Sequence, residues 1–350
     1  MARLPLRSPL VAAWLFAAAF LIVVLIGVGG ATRLTESGLS ITEWEPIHGI
    51  IPPTNAGEWE QEFAEYKQIP QFKQLNPKMT LAEFKGIYWW EWSHRVLARV
   101  LGLVYTLGFA ALLLLKEVPS RLIWRCAALV ALVWLQGLIG WLMVRSGLEF
   151  RVSVAPEMLM VHLGMALLIL MGTVWTGLEA GEGQMRGRGA PLNWRGRAGG
   201  LLGLVLLQCL LGALVAGNRA GLVYTDFPLM NGEILPPVAW AKGIGYSFFH
   251  DQGLVQFMHR LTGMILGIYA VYFVVRLHMK ANDDALKSFG TVTTVLIWSQ
   301  AALGVATLWT VVNVWLALSH QLLAVIVVIV TTVLTWRVFR ADRVFRSTGF

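Results

Sequence analysis

Cysteine is scarce in this chain of 350 residues. Only Cys126 and Cys209 occur, and both fall inside long apolar runs. That placement excludes a structural disulfide in an outer loop, and two thiols are too few for a cysteine metal centre. They read as small apolar fillers. Charge is scarce as well. Charged residues make up 14% of the chain and hydrophobic residues 57%, whereas a soluble protein carries about 25% charged residues. With a mean hydropathy of +0.64, the composition requires a bilayer as solvent. Period-two alternation is missing from the apolar segments, which excludes a membrane barrel and leaves helices. No basic patch with interleaved aromatics lies outside the apolar runs, so nucleic acid is not a partner.

What is present is a set of eight apolar runs, at about 10–31, 92–115, 123–144, 157–178, 199–217, 254–276, 290–312 and 315–336. A helix needs roughly 20 such residues to cross the hydrocarbon core. The fold expected is therefore an all-α integral membrane protein of eight transmembrane helices. The first run resembles a signal peptide, but it is too long and no cleavage site follows before Gly29 and Gly30, so it reads as a retained span. The lack of a long Arg- and Ser-rich leader favours a bacterial inner membrane over an organelle precursor.

Positive charge marks the cytoplasmic side. With the N-terminus inside, the inner segments hold 16 of the 28 basic residues and 6 of the 20 acids. Both termini are then expected in the cytoplasm, and the basic balance reflects topology.

The Gly- and Arg-rich segment 180–198 reads as a cytoplasmic linker between two four-helix halves, 1–179 and 199–350. The halves echo each other. EWSHRVLARVLGLVY is matched by QFMHRLTGMILGIY, and MLMVHLGMALL by LALSHQLLAVI. Three odd spans share Gln136-x-x-x-Gly140, Gln208-x-x-x-Gly212 and Gln300-x-x-x-Gly304. Each half runs in the same direction, so the repeat is parallel, and such repeats place sites within or between them. Two long outer segments, 32–91 and 218–253, are expected to form short helices and irregular caps.

Seven histidines occur. His48 and His250 fall in outer loops, and His278 lies near the inner basic cluster. His94, His162, His259 and His320 each sit in the first turns of an even span. All even spans run from outside to inside, so the four lie at one depth just below the outer surface. Ionisable groups inside spans are costly and mark function. Zinc or copper would need ligands converging on one atom. Two pairs in two bundles suit two planar cofactors better, with imidazoles ligating a haem iron from both sides. The pairs are then His94 with His162 and His259 with His320. Gly29, Gly30, Gly102, Gly140, Gly164, Gly212, Gly263 and Gly304 would admit a macrocycle or a neighbouring helix.

Arg95 and Arg260 directly follow two of these histidines, and Arg33 and Arg219 lie just beyond the outer ends of spans one and five. They suit haem propionates, or equally snorkelling to the interface. Glu91 shares a helical face with His94, whereas Gln256 holds the matching place before His259. A carboxylate at a porphyrin edge can move protons or orient water; at a helix start it also complements the macrodipole. The asymmetry suggests chemistry in the first half and an electron-transfer haem in the second. Besides an enzyme, these features fit a dihaem b-type electron carrier linked to quinone, or a haem transporter or chaperone.

The segments 29–53, EWSHR (91–95), MLMVHLG (158–164), 216–232, QFMHR (256–260) and LSHQ (318–321) resemble the haem A synthase family over nearly the whole chain. The resemblance implies oxidation of a ring methyl of haem O to a formyl group by successive hydroxylations, giving haem A for cytochrome oxidase. It implies a resident haem b on His259 and His320, substrate haem on His94 and His162, and Glu91 beside the substrate. The partners implied are haem O, membrane lipid and an electron donor, with a haem O synthase and a homo-oligomer left open. Some family members carry a cysteine pair in the first outer loop. This chain has none there and resembles the branch of proteobacteria and mitochondria.

Overall fold

The computed structural model describes residues 7–44, 48–183 and 194–347. Eight long helices dominate it: α1 (Pro9–Leu34), α4 (Leu81–Leu114), α5 (Ser120–Leu148), α6 (Pro156–Glu182), α7 (Trp194–Gly217), α9 (Gln252–Lys280), α10 (Asp284–Trp309) and α11 (Val314–Ser347). All eight are long and apolar enough to cross a membrane, and the protein is multi-pass. Three short helices lie in the outer segments: α2 (Ala56–Tyr66), α3 (Pro70–Leu75) and α8 (Ile244–His250). Among the described residues the only β pairing is an isolated bridge between Met230 and Glu233.

Helix starts follow local chemistry. Pro9 and Pro156 open α1 and α6 at positions where the missing N–H is not needed. Asp251 and Asp283 cap α9 and α10 by accepting from Leu254 N at 2.9 Å and Leu286 N at 3.1 Å. The fourth helix begins at Leu81, well before the apolar run that starts near 92. Thr80 and Glu83 form a reciprocal capping box there, so the first turns of α4 stand above the apolar run as an outer extension. The seventh apolar run also ends early. The chain leaves α10 at Trp309, and Val311 and Val312 take left-handed φ values of 52° and 58°.

The long helices form two closed rings. In one, α1 packs on α4 and α6, and α5 joins α4 to α6. In the other, α7 packs on α9 and α11, and α10 joins α9 to α11. The rings meet where α6 touches α7 and α11, and where α1 touches α11. Burial follows this seam. Half of the most apolar stretch of α11 is buried, and 39% of that of α1, against 11% in α4 and α5. The outer helices instead expose Leu107, Trp124 and Ile268, as lipid-facing surfaces do. Two linker arginines, Arg186 and Arg188, fall outside the described residues.

The first outer segment builds its own core. Leu39, Trp59, Phe63, Tyr66, Phe84 and Tyr88 pack together above the first ring. Burial pushes the Tyr66 phenol up, and its hydroxyl donates to Gln71 at 3.1 Å. This cap holds residues 36–44 over the outer ends of α1 and α4.

Candidate functional site

One cavity of about 1720 Å³ runs through both rings at the end where the four histidines lie. Ligand pockets generally span about 300–1,000 Å³, so this one has room for more than one ligand. All nine residues singled out from the sequence line it: Glu91, His94, His162, His259, His320, Arg33, Arg95, Arg219 and Arg260. The sequence suggested two separate bundle sites. In the structure one cavity takes in both, with lining residues from α1, α6, α7 and α11 as well as from α4, α5, α9 and α10.

His94 on α4 and His162 on α6 border the cavity from the first ring, and His259 on α9 and His320 on α11 border it from the second. Among the described residues no cluster of three or more His, Cys, Asp or Glu forms that could hold a metal ion. A converging zinc or copper site therefore has no ligand set there, whereas two cavity-lining histidines remain in each ring.

Each ring has a glycine made for it. A Cβ at Gly29 would lie 2.9 Å from His94 Nε2, and one at Gly140 would lie 2.9 Å from His162 Cε1. The same construction puts Gly212 3.2 Å from His259 Cε1 and Gly304 2.8 Å from His320 Cε1. Four helix pairs thus repeat one unit, a glycine on one helix seating a histidine on the next. Gly30 makes room instead for Gln321, whose amide reaches across the seam and donates to the Ile26 carbonyl at 2.8 Å. Gly102 has open cavity over it, and a Cβ at this position would meet nothing within 4 Å; its counterpart Gly267 is covered by Trp298, 3.2 Å away. The first-half cavity is the roomier one at this position.

Three glutamines complete the units, and sequence reasoning assigned them no role. Gln136 Nε2 donates to the His162 carbonyl at 2.9 Å and lies 3.2 Å from its Nδ1. Gln208 does the same to His259 at 3.0 and 3.1 Å. Gln300 donates to the His320 carbonyl at 2.8 Å and lies 3.4 Å from its Nε2. The signal that marks them was present in the Gln-x-x-x-Gly repeat, four residues before each seating glycine.

Glu91 is 3% exposed and accepts four hydrogen bonds. Ser40 Oγ and Ile41 N donate to one oxygen at 2.7 and 2.9 Å. Arg95 Nη2 and Nε donate to the other at 2.7 and 3.1 Å. Arg95 also donates to the Ile41 and Glu43 carbonyls. In the second half, Gln256 and Arg260 donate together to the Tyr224 carbonyl at 2.8 and 3.0 Å, and Arg260 reaches the Leu229 carbonyl as well. Backbone N–H donation from Asn231 holds the Asp226 carboxyl of this loop below its usual range. Each half therefore ties its outer loop down through the residue pair beside its histidine.

The remaining two arginines cross the seam. Arg33 of α1 donates to the Ala216 carbonyl of α7, and Arg219 pairs with Glu36 at 2.6 Å. All four guanidiniums border the cavity while anchored to protein acceptors.

Comparison with known proteins places these features. The model of the COX15-CtaA family, described as cytochrome oxidase assembly protein, matches residues 12–332. A protein of Caulobacter vibrioides named heme A synthase is 48% identical, over 95% of this chain and 97% of its own. Proteins of the same name from Methylobacterium radiotolerans and Sphingopyxis alaskensis are 44% and 40% identical, covering 93% and 97% of this chain and 89% and 94% of theirs.

Proposed function

We propose that this chain, which belongs to the COX15-CtaA family of cytochrome oxidase assembly proteins, is a haem A synthase, an oxidoreductase that takes haem O as substrate. The observation that carries this reading is the pairing of four cavity-lining histidines with a buried carboxylate on one side only. Glu91 stands one turn from His94, where Gln256 stands one turn from His259. A carrier that handled two equivalent haems would have no use for this difference.

The donor set fits haem. Each imidazole lies against a glycine of the neighbouring helix at the cavity wall, and the His320 Nδ1 is buried without a hydrogen-bond partner. His259 and His320 would hold a resident haem b, which supplies one-electron redox chemistry when bound. His94 and His162 would seat the substrate, in the half where Gly102 leaves more space. Arg33, Arg95, Arg219 and Arg260 stand where propionates would reach them. Glu91, with its four donors, orients Arg95 and the 40–43 segment over the substrate edge. It accepts a proton only by giving up one of those hydrogen bonds. The ring methyl of haem O would be hydroxylated twice, each step a two-electron oxidation that takes its oxidant and its oxygen atom from outside the chain, and the resulting geminal diol would lose water to give the formyl group.

We further propose that both termini face the cytoplasm of a bacterial inner membrane and that the site opens toward the outer face. The functional halves would be 1–179 and 199–350, joined by 180–198. The test is pigment extraction from membranes of cells that make this protein together with haem O. Haem A and its hydroxylated precursor are expected. Their absence, with both haems bound, would leave a dihaem electron carrier as the better description.

A further inference from the structure

Three of the four histidines are held in the same way, and one is not. In α5, α7 and α10 a glutamine lies four residues before the seating glycine and clamps the partner histidine by carbonyl and ring. The equivalent place in α1, four residues before Gly29, is Leu25. No hydrogen bond to the His94 ring is found among the described residues, and Leu25 itself lines the cavity. We propose that Gln136, Gln208 and Gln300 are positioning residues that lock His162, His259 and His320. On this view the leucine at position 25 leaves His94 as the ligand that lets go, so that haem is exchanged through the first half. The proposal rests on the reading of the histidines as two haem-ligating pairs.

The physical case has three parts. First, the amide donates to the backbone carbonyl of the histidine, not only to its ring. It therefore fixes the helix turn that carries the ligand, and the seating glycine fixes the side chain against it. Second, Gln136, Gln208 and Gln300 each bury Oε1 without a hydrogen-bond partner. The atom that meets each ring is the amide nitrogen, 3.2 Å from His162 Nδ1, 3.1 Å from His259 Nδ1 and 3.4 Å from His320 Nε2, and such outer contacts orient ligands. The structure repeats this contact three times, in each case beside a histidine. Third, leucine has no polar atom to offer in either role. His94 keeps its glycine seat and loses the clamp. Open space above Gly102 lies on the same helix two turns on, so the loosely held ligand and the roomier wall belong to one site.

The second half has both of its histidines clamped, by Gln208 and Gln300. A resident group there is held from both sides. The first half has one clamped ligand, His162, to receive and orient a haem, and one free to swing aside.

The experiment uses the full chain in detergent, carrying its resident haem and loaded with haem O. Loss of each haem to excess apomyoglobin is followed by absorbance. The wild type is expected to release haem from the first half at least tenfold faster than from the second. Leu25→Gln should slow the first release. Gln208→Leu should speed the second by about 10–100-fold, the usual effect of removing such a contact. A further measurement needs no variant. Carbon monoxide added to the reduced wild type should replace a ligand in the first half only. Equal release rates in the wild type, an unchanged rate in Leu25→Gln, or carbon monoxide binding equally in both halves would overturn the proposal while leaving the two haem sites intact. If instead no bis-histidine haem forms in the first half at all, the reading of the site itself fails, and this proposal with it.

Discussion

Glu91 holds Arg95 at 2.7 Å across one turn of α4, and both are locked to the backbone of residues 41–43. The corresponding pair, Gln256 and Arg260, has no charge to share and meets only at the Tyr224 carbonyl. The first half thus carries a neutralised arginine, and the second a guanidinium whose acceptors in the structure are carbonyls. A propionate placed beside Arg260 would find a guanidinium hydrogen-bonded to carbonyls, with the Asp226 carboxylate nearby but not hydrogen-bonded to it. One placed beside Arg95 would meet an arginine already paired, and would be held less tightly. This difference in grip agrees with one resident haem and one that turns over.

Glu91→Gln keeps the size and some of the hydrogen bonds of the carboxylate but removes its charge. The expected outcome is haem content near wild type with conversion of haem O lowered ~10²-fold or more, the scale of a lost acid–base group. Chromatography of extracted haems is the check. A normal yield of haem A would remove Glu91 from the chemistry.

His259→Ala should abolish the resident haem spectrum and leave haem O binding in the first half. His94→Ala should leave the resident haem spectrum in place and remove bis-histidine ligation from the first half alone. Spectra of purified reduced and oxidised protein distinguish the two. A bis-histidine spectrum of the resident haem surviving in His259→Ala would mean that the halves are assigned the wrong way round.

Gly304→Ala places a methyl 2.8 Å from His320 Cε1, too close for the ring to stay. Overpacking of this kind costs about 1–3 kcal/mol, and here it falls on a ligand. Resident haem per mole of protein should drop sharply. Gly102→Ala meets nothing within 4 Å and should be neutral, whereas Gly102→Leu should fill the first-half space and block haem O uptake alone. Equal haem loss from Gly304→Ala and Gly102→Ala would contradict the seating geometry.

Val311 and Val312 hold left-handed backbone between α10 and α11, which costs a β-branched residue roughly 1–2 kcal/mol. Val311 is 58% exposed, so little packing is lost when it is replaced. Val311→Asn should raise the thermal midpoint of the detergent-solubilised protein. A fall would show that the valine side chain makes a stabilising contact with lipid or detergent.

The sequence by itself determined the eight crossings, and it suggested a common depth for His94, His162, His259 and His320 and their sorting into two pairs. It could do so because span length and helix direction are set by the bilayer, residue by residue, before any helix meets another. The same reasoning located Glu91 and the four arginines, all of which border the cavity. It did not extend to the merging of two sites into one cavity, the seam crossings of Arg33, Arg219 and Gln321, or the clamp that Gln136, Gln208 and Gln300 apply. Those depend on which face of each helix meets its neighbour. Hydropathy is silent there, because lipid is as apolar as a leucine on a neighbouring helix, and small residues and polar contacts decide helix packing instead. Leu25 shows the limit most clearly: in sequence it is one apolar residue among many in the first span, and only the packing of α1 against α4 makes it the place where a glutamine is missing.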